Sequence, residues 1–469
     1  MKKTSSLFDK SIIVLFFLSS SILLNFVIPP FQNPDEPQHL ATILSFSQND
    51  GTENIEKTIL SIMHKNAWWK HIGERTPEIP PDTFSDVDFF SFTDFQSAIG
   101  QTVFYHFLLG KTISLLFKTD ILGAYYFCRL VSILFLLTSL LLCLDIFRKL
   151  PFNENLLGDN LVWGALFVLF LPQFLILSVS VNPDSLSILL GTLFFYAAYH
   201  LMAERLKVFP IFLCVLCAVI GLFTDKSLFF LILLGLLLPF FLIRGKKVLR
   251  SISFVFLVFF LFVLVASWIA WYFPAQIYST MSLINVRMLD KIQIIPQLFT
   301  LDEFNREFLA YLIDSSFLKF GWMAYSADRL FYWVWRISLF LSFLGVIIFL
   351  GRYAYSRIKR YRLRSYDSPI FRVVMFSLIA VFTQILNVRI YQGTKFILPQ
   401  GRYLFPLILP IAFIFILGLK SFFGLFHKKA GQVAVALFVV FQFFFFTYVV
   451  WNYLIPVFHL TVKSPHPGL

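Results

Sequence analysis

Charge is scarce in this chain. Only 14% of its 469 residues are Asp, Glu, Lys or Arg, against about 25% in soluble domains, which is too little to dress the surface of a water-soluble protein of this size. Cysteine is scarce as well: Cys128, Cys143, Cys214 and Cys217 all fall inside apolar runs. Cys214 and Cys217 form a C-x-x-C, but no redox fold or further metal ligand surrounds it, so no disulfide framework is implied. No repeat of 20–50 residues is visible, and the two halves show no clear similarity of the kind found in many transporters. Acidic residues are the scarcer sign, 26 against 39 basic ones, for a formal charge of +13. The basic residues form no continuous patch, which argues against nucleic acid as a partner. They stand in short clusters between apolar runs, such as Arg244-Gly245-Lys246-Lys247 and Arg357-Ile358-Lys359-Arg360. Clusters so placed set membrane topology and can touch anionic headgroups.

What is abundant is apolar. Residues of hydrophobic type make up 58% of the chain and 62 of them are Phe, more than a water-soluble core can hide, so lipid is the expected solvent and the bilayer the first partner. Spans of about 20 residues are expected at approximately 11–30, 121–144, 160–180, 185–203, 209–223, 228–243, 252–273, 332–351, 370–388, 402–419 and 431–455. The first follows Lys2, Lys3 and Lys10 and has no small-x-small cleavage site, so it reads as an uncleaved helix that starts in the cytoplasm.

The threading turns on 99–118, IGQTVFYHFLLGKTISLLFK, which holds His106, Lys111 and Lys118. If it crosses, Arg148-Lys149, the Arg244–Arg250 cluster, the basic residues from Arg352 to Arg364 and His427-Lys428-Lys429 all face outward. If it lies in the interface as an amphipathic helix, all four clusters face the cytoplasm. A lysine at a helix centre costs roughly 2.5–3.5 kcal/mol on insertion scales, which also disfavours crossing. The expectation is therefore an all-α integral membrane protein of about eleven spans, N-terminus in and C-terminus out. The whole of 1–469 is one polytopic domain, with two large outer segments, 31–120 (bearing interfacial helices) and 274–331.

Candidate chemistry gathers at the outer ends of the spans. Pro34-Asp35-Glu36-Pro37-Gln38-His39 follows the first span. Its two carboxylates and histidine could act as a general base or hold a divalent cation (Mg or Mn), or Asp35 and Gln38 could simply form a helix capping box. Asn182-Pro183-Asp184-Ser185 offers either a helix cap or a carboxylate, Asp184, at the level of Asp35. Lys226, in Thr224-Asp225-Lys226-Ser227, either snorkels or meets a phosphate. Arg402, in Gln400-Gly401-Arg402-Tyr403, either sits at the headgroups or grips phosphate with its two-pronged fork. Lys319, Asp328 and Arg329 add charge near Phe320-Gly321-Trp322. Ion-coupled transporters place ionisable groups near the midplane, whereas an enzyme working on a lipid-linked substrate needs them at the surface, and the predicted spans are nearly free of charge at their middles.

The acidic pair after span one, the long outer loop and the acidic residue after span three resemble the GT-C glycosyltransferases, which include protein mannosyltransferases. More closely, IPPFQNPDEPQHL, SSFLKFGWM and QGRYLFPLILP resemble the bacterial membrane family called domain of unknown function 2142, over nearly the whole chain. The stretch from Gln101 to Phe117 is similar to an interfacial GT-C helix that opens with His-Pro-Pro. Ile99-Gly100-Gln101 stands in its place here, so the role of that motif does not carry over.

The resemblance implies a GT-C-like bundle that transfers a sugar, with inversion, from a polyprenyl-phosphate donor to an extracytoplasmic glycan or protein acceptor at a prokaryotic cytoplasmic membrane. On that reading Asp35 is the base and Glu36 orients the acceptor or helps hold a metal. Asp184 does either of those things too, and Arg402, Lys226 and Arg329, with His39 and Tyr403 beside them, bind the donor phosphate. The readings set against it are a flippase or transporter of lipid-linked saccharides and a non-catalytic membrane scaffold.

Overall fold

The computed structural model describes residues 2–33, 35–47, 58–59, 61–63, 104–117, 120–149, 162–203, 208–242, 303–319, 326–359, 369–392, 400–427 and 429–459. Among these the chain is helical: α1 (Lys2–Val27), α2 (Glu36–Ser47), α3 (Phe104–Leu116), α4 (Ile121–Lys149), α5 (Val162–Leu169), α6 (Pro172–Ser178), α7 (Asp184–Ala203), α8 (Val208–Thr224), α9 (Phe230–Leu242), α10 (Glu303–Phe317), α11 (Arg329–Lys359), α12 (Pro369–Gln392), α13 (Ile408–Phe423), α14 (Ala430–Val449) and α15 (Ile455–His459). A 3-10 segment, Gly401–Leu407, leads into α13, and a π-helical stretch, Val450–Leu454, joins α14 to α15. Six helices among the described residues are long and apolar enough to cross a membrane: Ile121–Arg148, Asp184–Ala203, Arg329–Tyr355, Pro369–Ile390, Gly401–Phe423 and Ala430–His459. Ser11–Val27, Val208–Thr224 and Phe230–Leu242 are shorter apolar helices. The expected span at 252–273 lies outside the described residues, as does most of the outer segments 31–120 and 274–331.

Apolar surface faces outward. Phe26, Phe240, Phe340 and Phe444 are all exposed, an arrangement water penalises and hydrocarbon accepts. Inside, the Phe-rich sequence packs ring on ring: Phe167 stacks on Phe415 with centroids 4.6 Å apart, and Phe317 on Phe445 at 4.7 Å. α11 and α13 run side by side in the same direction, with Gly345 against Gly418 so closely that a Cβ at either would strike the other helix's backbone. Small residues permit such approaches where lipid gives helices no hydrophobic reason to associate.

The run expected as one helix at 160–180 is broken in two. Pro172 has no amide hydrogen to continue the ladder, so α5 closes with Leu171 N donating to Val168 O at 3.3 Å and α6 begins afresh.

The stretch around α3 is thirteen residues of helix, about 20 Å at 1.5 Å per residue, short of a hydrocarbon core of about 30 Å. It lies along α2, and the two meet at Gly110, where a Cβ would come 2.5 Å from Ile43 O and 2.6 Å from Phe46 Cβ. Gly110→Val should therefore push the pair apart and lower the thermal midpoint of the purified protein, by an overpacking cost of about 1–3 kcal/mol. An unchanged midpoint would mean that the two helices are not packed this way.

Candidate active site

The loop between α1 and α2 has an unusual backbone. Phe31 and Asp35 both adopt positive φ, 69° and 66°, a conformation that costs a non-glycine residue roughly 1–2 kcal/mol and that tertiary contacts must hold in place. The holding residue is Glu36. Its carboxylate is wholly buried and accepts from Asn33 N (3.2 Å), Tyr125 OH (3.0 Å), Val181 N (3.0 Å) and Arg129 Nε and Nη2 (3.4 and 3.3 Å). Arg129, also fully buried, turns its remaining donors on the end of α1, to Asn25 Oδ1, Ile28 O (2.9 Å) and Pro29 O. It thereby satisfies carbonyls that a helix C-terminus leaves without partners. Tyr125 completes the clamp: its ring packs on Phe31 at 4.9 Å and its hydroxyl accepts from Phe31 N at 3.2 Å.

With Glu36 turned inward, the left-handed turn at Asp35 sends the neighbouring carboxylate the other way. The Asp35 main chain does begin the helix, since His39 N donates to Asp35 O at 3.0 Å. Its side chain instead reaches Arg402, whose Nη2 donates to Oδ2 at 2.8 Å. The same guanidinium places Nε 3.1 Å from Asp184 Oδ2. Asp184 is free for this because Asn182 does the capping at the start of α7, its Oδ1 accepting from Asp184 N at 2.8 Å. Asp225, just after α8, brings a third carboxylate close enough to act on Asp184 and is itself fixed by Ser227 N (3.0 Å) and Ser227 Oγ (2.7 Å). Arg402 and Asp184 are buried, with side chains 6% and 8% exposed, whereas Asp35 is 41% exposed. Asp35 thus presents part of its carboxylate to a reactant while Asp184 holds the same guanidinium from the buried side.

Arg402 is aimed by its own segment. Gly401 N donates to Ser315 Oγ at 2.8 Å, and a Cβ at 401 would collide with the Ser316 backbone, so only glycine lets the segment press against α10. Tyr403 is half-buried with its ring 5.7 Å from the Arg402 guanidinium, and its carbonyl accepts from Gln384 Nε2 of α12. Asn387 of α12 donates to Ser227 O at 3.3 Å and links that helix to the Asp225 turn.

His39 lies one helical turn beyond Asp35, buried, with Nδ1 3.0 Å from Nε2 of His106 on α3. Burial, then His106, then the Arg402 charge hold its pKa well below the usual histidine value. The unfolded chain therefore takes up this proton first, near pH 6.5. The stability owed to a neutral His39 is complete above that pH and is lost as pH falls below it. Thermal midpoints of the purified protein should fall between pH 7 and pH 5, and His39→Gln should flatten that slope; equal slopes would remove His39 as its source.

Asp35, Asp184 and Arg402, far apart in sequence, thus meet at one end of the bundle. Of the other residues singled out from the sequence, His39 and Tyr403 adjoin them and Glu36 faces away into the Arg129 clamp. Arg329 is exposed at the start of α11 and is not among their ion-pair partners. The backbone of Lys226 forms a short helical turn with Ser227 and Leu228, and its side chain lies outside the described residues. Asp225, Arg129, Tyr125 and His106 were missed. Arg129 carried a readable signal, because an arginine inside an apolar run must find a partner. Asp225 stands beside Lys226 and nothing in the sequence ranks one over the other. As for a divalent cation, no three His, Cys, Asp or Glu side chains among the described residues converge to hold one. Glu36 is committed to Arg129, and the Arg402 guanidinium lies between Asp35 and Asp184.

Residues 17–411 match the family described as predicted membrane protein (DUF2142), and the chain belongs to that family. No curated protein matches it.

Proposed function

We propose that this protein is a membrane glycosyltransferase that moves a sugar from a polyprenyl-phosphate donor to an acceptor outside the cytoplasm. The observation that carries the reading is the Asp35–Arg402–Asp184 chain, in which a partly exposed carboxylate stands next to a buried, oriented guanidinium. An inverting displacement at the anomeric carbon needs those two things. Asp35 takes the proton of the acceptor hydroxyl as its oxygen attacks. The bond from the sugar to the phosphate oxygen breaks, and the phosphate leaves as an anion that Arg402 meets without reorganising. Asp184 keeps the guanidinium in place, and Glu36 acts at a distance by shaping the turn that aims Asp35.

Charge supports an outer site. Arg148 at the end of α4, the basic end of α11 and His427 after α13 lie at the bundle end opposite the site, since α4 and α13 both start beside it. The positive-inside rule supports a site on the extracytoplasmic face, in a chain read as about eleven spans with its N-terminus inside. The test is removal of the gene product from its prokaryotic host, followed by chemical analysis of surface glycans. A missing sugar, restored by the wild-type chain but not by Asp35→Asn, is the expected result. Unchanged glycans and proteins on the surface would sink the transferase.

A further inference from the structure

Next to the Arg402 segment lies a second cation that the proposed chemistry does not yet use. Lys319 follows α10 and is half-buried, with its ammonium 4.5 Å from the centroid of the Tyr311 ring. The carboxylate that acts on it is Asp314, and both oxygens of Asp314 are taken by Arg336 of α11, Nε to Oδ1 at 2.8 Å and Nη2 to Oδ2. Arg336 is itself drawn toward the face of Trp333, 5.8 Å away. Two cations thus share one carboxylate, and the arginine holds it. A ring face compensates an ammonium only partly, so among the described residues Lys319 is a partly desolvated positive charge with no carboxylate of its own.

Its position is fixed from two sides. Lys319 N donates to Gln173 Oε1 of α6 at 2.9 Å, and the same end of α10 supports Arg402 through Ser315 and the Gly401–Ser316 contact. Arg402 and Lys319 therefore adjoin the same contact between the Gly401 segment and the end of α10, each a residue or one helical turn from it. Their pairing differs: Arg402 is held by Asp35 and Asp184, whereas the carboxylate that acts on Lys319 is taken by Arg336.

We infer that Lys319 is a further binding residue of the site and receives phosphate oxygens of the lipid-linked substrate. This rests on the transferase reading above, and it separates two tasks: Arg402 meets the leaving oxygen and Lys319 carries the resting charge of the phosphate. Burial depresses the lysine pKa while Asp314 raises it less, as expected of an ammonium waiting for a counter-ion.

The experiment is direct binding to the purified full-length chain in nanodiscs of zwitterionic lipid. The probes are a polyprenyl monophosphate, the uncharged polyprenol and phosphatidylglycerol. Lys319→Met should weaken the polyprenyl monophosphate about tenfold and leave the polyprenol unchanged, while Lys319→Arg restores binding. Because the Gln173 contact is made by the backbone, neither variant removes it, and the polyprenol arm reports that the site still folds. Wild-type affinity for the phosphate in Lys319→Met would overturn the inference, as would an equal loss for phosphatidylglycerol, which would mark a bulk-lipid contact. If the wild-type chain binds no polyprenyl phosphate, the transferase reading falls and takes this one with it. If it binds in a Lys319-dependent way but surface glycans are unaffected by loss of the gene product, only the transfer step falls.

Discussion

Arg129→Met should leave little folded protein. Removing one partner of a buried ion pair strands the other, at a cost of about 3–5 kcal/mol, which is a large part of the total stability of a typical domain. Here the stranded group is Glu36, fully buried among Asn33, Tyr125 and Val181, and the carbonyls of Ile28 and Pro29 lose their donors as well. Methionine keeps most of the volume, so the loss is electrostatic rather than a cavity. Adding Glu36→Gln should recover part of it, because a neutral amide can stay buried where an unpaired carboxylate cannot. Fluorescence-detected size exclusion of tagged protein, followed by thermal unfolding, reads both effects. A single mutant as stable as wild type would mean that Glu36 is not held as described, and the account of the Asp35 turn would go with it.

That clamp also marks the boundary between what could be read from the chain and what could not. Six span positions were legible because in lipid the constraint is local: each stretch must satisfy its own backbone and present apolar side chains, so α4, α7 and α11 to α14 fall on the expected apolar runs. The break at Pro172 was legible only in part, since a proline inside an apolar run can begin a new helix or kink an old one. Asp35, Asp184 and Arg402 each stood out, yet each had a bland alternative as cap or headgroup anchor. What separates the readings is that they touch, and contacts across 367 residues of chain leave no local trace. The roles within Asp35-Glu36 were less visible still. Two adjacent carboxylates are interchangeable on paper, and the choice between them is made by a positive φ at Asp35 that nothing in its composition announces. Arg129 escaped for a different reason: a span scored by average hydropathy absorbs one arginine, although the partner that arginine demands is what organises the loop.

The substitution with the largest consequence for chemistry is Asp35→Asn. Asparagine is among the few residues that tolerate a left-handed backbone, so the turn at φ 66° survives, and its side-chain oxygen can still accept from Arg402. What is lost is a group able to take a proton. General-base catalysis contributes typically about 10²–10⁴-fold, and sugar transfer to the surface acceptor should fall by that factor while expression and thermal midpoint stay close to wild type. Asp35→Ala should lose as much activity and also some stability, since alanine resists the backbone conformation. Arg402→Met should lose activity for another reason, because Asp35 and Asp184 would then lose the cation they share. If Asp35 and Arg402 work as one unit, the double mutant should be little worse than either single one. Multiplying losses would show two independent contributions and break the link between the exposed carboxylate and the buried guanidinium.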